Sequence, residues 1–385
     1  MYRVLILCEY TELNGAENSL LAAIDAGLQR SFKLTVMAPE QGPLVHELQE
    51  RQLAHLPFLT HDPTGKRWPQ VELRNSLQRA IAILKPDLIH ANSLSMARLV
   101  GPVAHKLGVP SIAHLRDIVR CSAQAIADLN HNSLILAVSQ ATKDWHLAAG
   151  IHAAKTKVLH NGVDLDSFTP RESTGALKKS LSLSRECRLV GHIGQIGMRK
   201  GTDIFVAAAC QVALQNPTVH FIIVGKRHSK KHEAIAFEQG LHESVRAAGV
   251  DSNFHWLGVR SDIPHLLNEF DLLVHTARQE PLGRVLLEAA ASGTPIIATN
   301  VGGTAEIFTK ASRAGLLVSD ESSTETTLAI EALLADSTSR KRLSASARKR
   351  AVTAFDIHKS ALNLAEQYRA VLSLPKFPAS SHPSV

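Results

Sequence analysis

Residues 188–225 read RLVGHIGQIGMRKGTDIFVAAACQVALQNPTVHFIIVG. A short apolar run (188–194) leads into a glycine-bearing loop, then an alanine- and valine-rich stretch of helical length, then a second apolar run (220–225). Parallel strands covered on both faces read as such continuous runs, with a helix as the crossover between them. The same unit recurs on both sides of this stretch. Upstream, RVLIL (3–7), KLTVMA (33–38), DLIHAN (87–92), SIAHL (111–115) and SLILAVS (133–139) alternate with helical patterns at 16–26, 73–84 and 97–107. Downstream come NFHWLG (253–258), DLLVHT (271–276), TPIIAT (294–299) and GLLVS (315–319). The alternation pauses at NGVDLDSFTP (161–170) and in the polar stretch 171–186.

The expected fold class is therefore α/β, with two Rossmann-like, doubly wound domains facing across a cleft. The expected boundaries are 1–170 and 171–372, with a last helix over 357–372 that belongs to the second domain or packs back on the first. A proline- and serine-rich tail, 373–385, reads as disordered. The 385 residues suit two domains better than one.

Composition narrows the function. The chain is 45% hydrophobic and 20% charged, which is globular. No apolar run approaches the roughly 20 residues of a membrane span, and MYRVLILCEY turns acidic too soon for a signal peptide. Cys8, Cys121, Cys187 and Cys210 show no metal or disulfide spacing, so a reducing cytoplasm fits. The net charge of +7 arises mostly after residue 170, at KRHSKKH (226–232) and RKRLSASARKR (340–350). These runs read either as attraction to phosphates or anionic lipid, or as a solvated face. Aromatics make up only 4%, against a nucleic-acid-stacking surface. The helical pattern 73–85 reads as packed on its own sheet, with a weak peripheral membrane contact as the other reading.

In doubly wound sheets ligands lie beyond the carboxyl ends of strands, over helix starts. After the first strand Gly15 precedes a helix, where a backbone amide can approach an anion. After strand 188–194 come Arg199 and Lys200, two cations suited to a diphosphate. The loop after DLLVHT carries Glu280, a helix start near Pro281–Gly283, and Glu288. Free amides around Leu282, Gly283 and Arg284 face any phosphate there. Glu280 and Glu288 are then placed to accept hydroxyls on either side of it, and Glu288 sits in an otherwise apolar run where an idle charge would be costly.

NGAE (14–17), KPDLIHANS (85–93), ILAVSQATKDW (135–145), HNGVDLDSF (160–168), GQIGMRKGTD (194–203), WLGVRSDIPHLLNEFDLLVHT (256–276), EPLGRVLLEAAASGTPIIATNVGG (280–303) and AGLLV (314–318) stand in one order along the chain. Together they resemble a retaining nucleotide-sugar glycosyltransferase of family 4 (glycosyl transferases group 1), with the GT-B fold. The resemblance implies transfer of a hexose-type sugar, from a UDP-sugar in preference to a GDP-sugar, to a glycan or lipid-linked glycan. It implies no cofactor and no metal. The first domain would take the acceptor and the second the donor. Glu280 would hold the transferred sugar, Glu288 the ribose, Lys200 with the amides of Leu282 and Gly283 the diphosphate, and Arg260 the base. Gly15 would close over the sugar-phosphate. Two departures stand out. Gln195 occupies the place of a family arginine, for which Arg199 is the substitute. HLRD replaces the family's histidine–aspartate, making Arg116 (ahead of His114) and Asp117 the catalytic candidates beside Lys200 and Glu280. A sugar-nucleotide epimerase of the same fold and a non-catalytic sugar-nucleotide binder are the alternatives.

Overall fold

A computed structural model describes residues 1–374. These form two compact units, one of residues 1–162 with 357–374, the other Val163–Asp356.

The first unit is built on seven strands: β1 (Arg3–Leu7), β2 (Lys33–Ala38), β3 (Ala54–Pro57), β4 (Leu88–Ala91), β5 (Ser111–Leu115), β6 (Leu134–Ala137) and β7 (Thr156–Val158). Their order is β3-β2-β1-β4-β5-β6-β7, with every pairing parallel. The second unit has six: β8 (Arg188–Ile193), β9 (Val219–Val224), β10 (Phe254–Gly258), β11 (Leu272–His275), β12 (Ile296–Thr299) and β13 (Leu316–Val318). These run β10-β9-β8-β11-β12-β13, again all parallel. In each sheet the order reverses beside the first strand, between β1 and β4 and between β8 and β11. That reversal opens a crevice at the carboxyl ends of those strands.

The sequence pattern misses β3 and β7. Both are edge strands of three or four residues, AHLP and TKV, without an apolar run to mark them. The boundary expected at 170 lies instead at 162/163, and the helix Ile357–Leu372 is part of the first unit. Its buried residues Ala361, Leu364, Ala365, Tyr368 and Val371 follow helical spacing. They join the core that contains Val4, Ile6, Leu20, Ile24, Leu28 and Phe32. Tyr368 Oη lies 2.6 Å from His90 Nδ1 on β4, which fixes the helix to that sheet. The tail expected to be disordered lies, from residue 375 on, outside the described residues.

Three arginines of the basic run 340–350 are carbonyl clamps, while Arg342 stays exposed. Arg340 donates to Leu334 O (2.6 Å) at the end of the helix Ser323–Ala335. Arg348 donates to Phe168 O (2.8 Å) and Ala291 O (2.7 Å), and Arg350 to Glu306 O (2.8 Å). Each meets carbonyls that a helix end or a loop leaves without a backbone donor. In the first unit, the helix Gln70–Leu84 buries Leu73, Leu77, Ala80 and Ile81, and Arg74 pairs with Asp128 at 2.9 Å. That face covers its own sheet. No helix among the described residues is long and apolar enough to cross a membrane. All four cysteines are free.

Candidate functional site

In the second unit the loops after β8 and β11 meet at the point where strand order reverses. Gly201, after β8, has φ +62°, and a Cβ there would lie 1.7 Å from Thr276 O. Thr276 Oγ1 in turn donates to Gly201 O at 2.7 Å. Arg278 ties the two loops together. Its guanidinium donates to Asp203 Oδ1 (2.7 Å) and Oδ2 (2.8 Å), to Met198 O (2.8 Å) and to Glu321 Oε2 (2.9 Å). Its amide donates to Arg199 O at 3.0 Å. The sequence pattern gives no sign of Arg278, because its side-chain partners lie 43 to 80 residues away.

This scaffold holds Glu280, whose side chain is buried. Its Oε2 accepts from Lys200 Nζ and, at 2.8 Å, from His275 Nε2 at the end of β11. Burial pushes the Glu280 carboxyl up, but the Lys200 ammonium and the His275 bond outweigh it and hold the group well below the usual carboxylate range. His275 moves the other way. Burial lowers its pKa more than Glu280 raises it, so the ring is neutral and donates Nε2–H. His275 is the second residue missed in the sequence; its signal is a polar residue closing an otherwise apolar strand, five residues before the glutamate.

The backbone of Glu280 is fixed from the loop after β12. Gly303 N donates to Glu280 O at 2.9 Å. Gly302 has φ +51°, and a Cβ on it would sit 2.0 Å from that same carbonyl oxygen. Gly302→Ala is expected to destabilise the second unit by about 2–4 kcal/mol, from left-handed strain plus overpacking. It should also weaken donor binding, because the atom displaced belongs to Glu280. Thermal unfolding and calorimetry on the same variant check both, and an unchanged melting curve would refute the prediction.

Glu288 lies on the helix Arg284–Ala291, whose N-cap is Gly283 (φ +106°), at the end of the stretch Pro281–Gly283 expected to start it. It is buried and accepts from Arg284 Nε at 2.9 Å, one helical turn earlier. The buried charge is thus matched within the chain. Leu282 and Gly283 are buried, and the first amides of this helix have no intrahelical acceptor. Arg199 and Gln195 are exposed. Arg199 Nη1 reaches Gln279 O at 3.4 Å, so of the two adjacent cations it is Lys200 that meets Glu280. Arg260 is also exposed and pairs with Asp262, its Nε 2.8 Å from Oδ1. Lys200, Glu280, Leu282, Gly283, Arg284 and Glu288 therefore gather at the switch point, while Gln195, Arg199 and Arg260 stand on exposed loops of the same unit.

In the first unit Gly15 is exposed and opens the helix Gly15–Ala23, with no atom within 4 Å of where a Cβ would stand. Arg116, after β5, is engaged internally. It donates to Asn92 Oδ1 (2.9 Å), Asn161 Oδ1 (2.9 Å) and His114 Nδ1 (3.1 Å). Burial lowers its pKa to about 10 against the pull of Glu17 and Asp117. Arg116 is a brace between the loops after β4, β5 and β7. His114, by contrast, is buried, and burial with Arg116 beside it keeps its ring neutral. Asp117 is exposed, and its carbonyl lies 2.9 Å from His146 Nε2.

Similarity to known proteins shows the family. The family description "Glycosyl transferases group 1" matches residues 174–350, and "Glycosyltransferase Family 4" matches 13–167. The chain is 31% identical over 361 residues, 94% of this chain and 95% of the relative, to the lipopolysaccharide core biosynthesis mannosyltransferase LpsB of Rhizobium meliloti (strain 1021). This chain belongs to the glycosyl transferases of group 1. The transferase has the GT-B fold and is a hexosyltransferase. It is also 25% identical, over 76% of its length and 77% of the relative's, to the UDP-Gal:alpha-D-GlcNAc-diphosphoundecaprenol alpha-1,3-galactosyltransferase of Escherichia coli. Anabaena Alr3699/HepE, solved with UDP-glucose, superposes with a TM-score of 0.84 at 25% identity, covering 96% of the transferase and 100% of that chain.

Proposed function

We propose that the transferase moves a hexose from a nucleotide-sugar, UDP-linked in preference to GDP-linked, to a glycan or lipid-linked glycan, with retention at the anomeric carbon and without a metal. The observation that carries this reading is the pair of buried glutamates, Glu280 with Lys200 and Glu288 with Arg284, flanking one helix start at the switch point of the second sheet. Glu280 takes hydroxyls of the transferred hexose, and Glu288 takes the ribose diol. Lys200, the amides at Leu282 and Gly283, and Arg199 in place of the missing arginine at Gln195 carry the diphosphate. Arg284 keeps Glu288 oriented, and Arg260 stands toward the base. Within the first unit Gly15 and Asp117 are exposed, and Arg116 braces the turn that carries Asp117.

The chemistry then needs little from side chains beyond position and charge. The anomeric C–O bond to the diphosphate breaks, a bond from the same carbon to the acceptor oxygen forms on the same face, and the acceptor proton passes to the departing phosphate oxygen. Lys200 and the helix amides stabilise the charge that grows on that phosphate. The named relatives act on lipopolysaccharide core and on a diphosphoundecaprenol-linked sugar, and HepE was solved with UDP-glucose, which supports a lipid-linked acceptor and a UDP donor here. With such an acceptor the protein works at a membrane surface as a peripheral enzyme.

Calorimetric titration with UDP, GDP, UDP-glucose and GDP-mannose in EDTA tests the reading. Wild type should bind one base tightly, and added magnesium should leave the affinity within twofold. Glu288→Ala should weaken it by roughly 10- to 150-fold, the loss of hydrogen bonds to a charged group. No binding of any of the four would remove the transferase mechanism drawn here, and binding without turnover on any acceptor would favour a non-catalytic binder.

A further inference from the structure

We infer that His275 is a positioning residue for the sugar-binding carboxylate, an inference that rests on the assignment of Glu280 to the transferred hexose. Both protein donors converge on one oxygen of Glu280. Oε2 takes Lys200 Nζ and His275 Nε2–H, whereas Oε1 receives no hydrogen bond from the described residues and is not sealed off. The carboxylate is therefore oriented with its second oxygen left for a ligand hydroxyl.

The two donors are not equivalent. A lysine ammonium is a point charge on a flexible stem, and the diphosphate of a bound donor competes for it. His275 is on a strand, 1% exposed, and cannot follow. Its Nδ1 is buried and has no hydrogen-bond partner among the described residues, so the bond to Glu280 is the one that fixes the ring's tautomer and orientation. A buried imidazole with one nitrogen unsatisfied carries a desolvation cost that a leucine at the end of β11 would avoid. The bond to Glu280 offsets that cost. When Lys200 turns toward the diphosphate, His275 keeps Glu280 in place, and keeps it ionised without bringing a second positive charge near the hexose.

The test uses the full chain as His275→Leu, His275→Gln, Glu280→Ala and the double variant His275→Leu/Glu280→Ala. The readouts are binding of UDP-glucose and GDP-mannose by calorimetry and acceptor-free hydrolysis of whichever binds tighter. His275→Leu should lose about 30-fold in hydrolytic kcat/KM, the worth of one charge-assisted hydrogen bond. His275→Gln, whose amide reaches the same place, should recover to within threefold of wild type. In the Glu280→Ala background His275→Leu should add less than threefold, since it acts through the glutamate. Full activity in His275→Leu, or a loss that multiplies with that of Glu280→Ala, would overturn the inference. Wild-type behaviour of Glu280→Ala would instead remove the assignment of Glu280 itself. A readout that needs no donor is the side-chain 15N spectrum: a histidine protonated at Nε2 alone should shift in Glu280→Ala and not in Glu288→Ala. Absence of that shift counts against the inference even where His275→Leu fails to fold.

Discussion

Lys200→Ala should lower turnover by at least about 10³-fold while also loosening the second unit. Two effects combine. In the proposed mechanism a preorganised charge aimed at the departing diphosphate is lost, and removal of one such donor alone costs roughly 10²–10³ in rate. The Lys200–Glu280 pair is also broken from one side. Its two side chains are only 15% and 7% exposed, so water compensates poorly for the missing ammonium. Breaking a buried pair by deleting one partner costs about 3–5 kcal/mol, and protonation of the abandoned acid limits that loss. With Lys200 gone, burial of Glu280 is opposed only by His275, so its carboxyl should rise and the protein should be less destabilised at about pH 5 than at about pH 8. Lys200→Met/Glu280→Gln separates the two effects: stability should return toward wild type and activity should not. Thermal unfolding beside donor turnover measures both, and a double variant as active as wild type would refute the charge role.

Mild acid is expected to unfold the protein well above the carboxylate range. His90 and His192 are buried and neutral, their pKa values lowered to about 3 by burial, with Arg116 near the first and His275 near the second. His114, His146 and His275 are lowered as well, each chiefly by burial. In the unfolded chain these rings protonate near about 6.5. Between about 6.5 and 3 the unfolded state therefore binds more protons, so stability is complete above about 6.5 and is lost as pH falls. Each such histidine removes about 1.4 kcal/mol per pH unit, so at pH 5 His90 and His192 together withdraw about 4 kcal/mol. The depressed carboxyl of Glu280 acts in the same direction, but only below its unfolded value. Trp68 and Trp145 report on the first unit and Trp256 on the second, so urea melts followed by fluorescence at about pH 7.5, 6 and 5 resolve both transitions. A midpoint that does not move between about pH 7 and 5 would contradict the expectation. His192→Phe, which keeps the stack on Phe205 at 4.7 Å, should flatten the slope of the second unit alone.

All strands except β3 and β7 are legible as apolar runs, because a strand covered on both faces needs a local composition and little else. The two exceptions pair at the edges of the first sheet and are too short and too polar to stand out. The same locality makes Glu288 conspicuous, as an acid inside VLLEAAASG, and marks Lys200 and Glu280 by their places in loops after strands. Gln195 and Arg116 read as departures from a family pattern, and for Arg116 the partners show what the departure does: it binds Asn92, His114 and Asn161 and braces its own unit.

Short stretches of the chain are enough to specify two parallel α/β units, the loops that carry chemistry and the family. Those properties are local, set by burial on two faces and by glycine at helix starts. Which charges meet is settled by long-range packing. Lys200 and Glu280 are 80 residues apart, and His90 and Tyr368 are 278 apart. Packing also returns the last helix to the first unit, brings His275 and Arg278 into the site, and turns Arg340, Arg348 and Arg350 onto carbonyls. These partnerships follow from strand order and from the need of every buried polar group for a partner, a need that a stretch of sequence states without saying who will meet it.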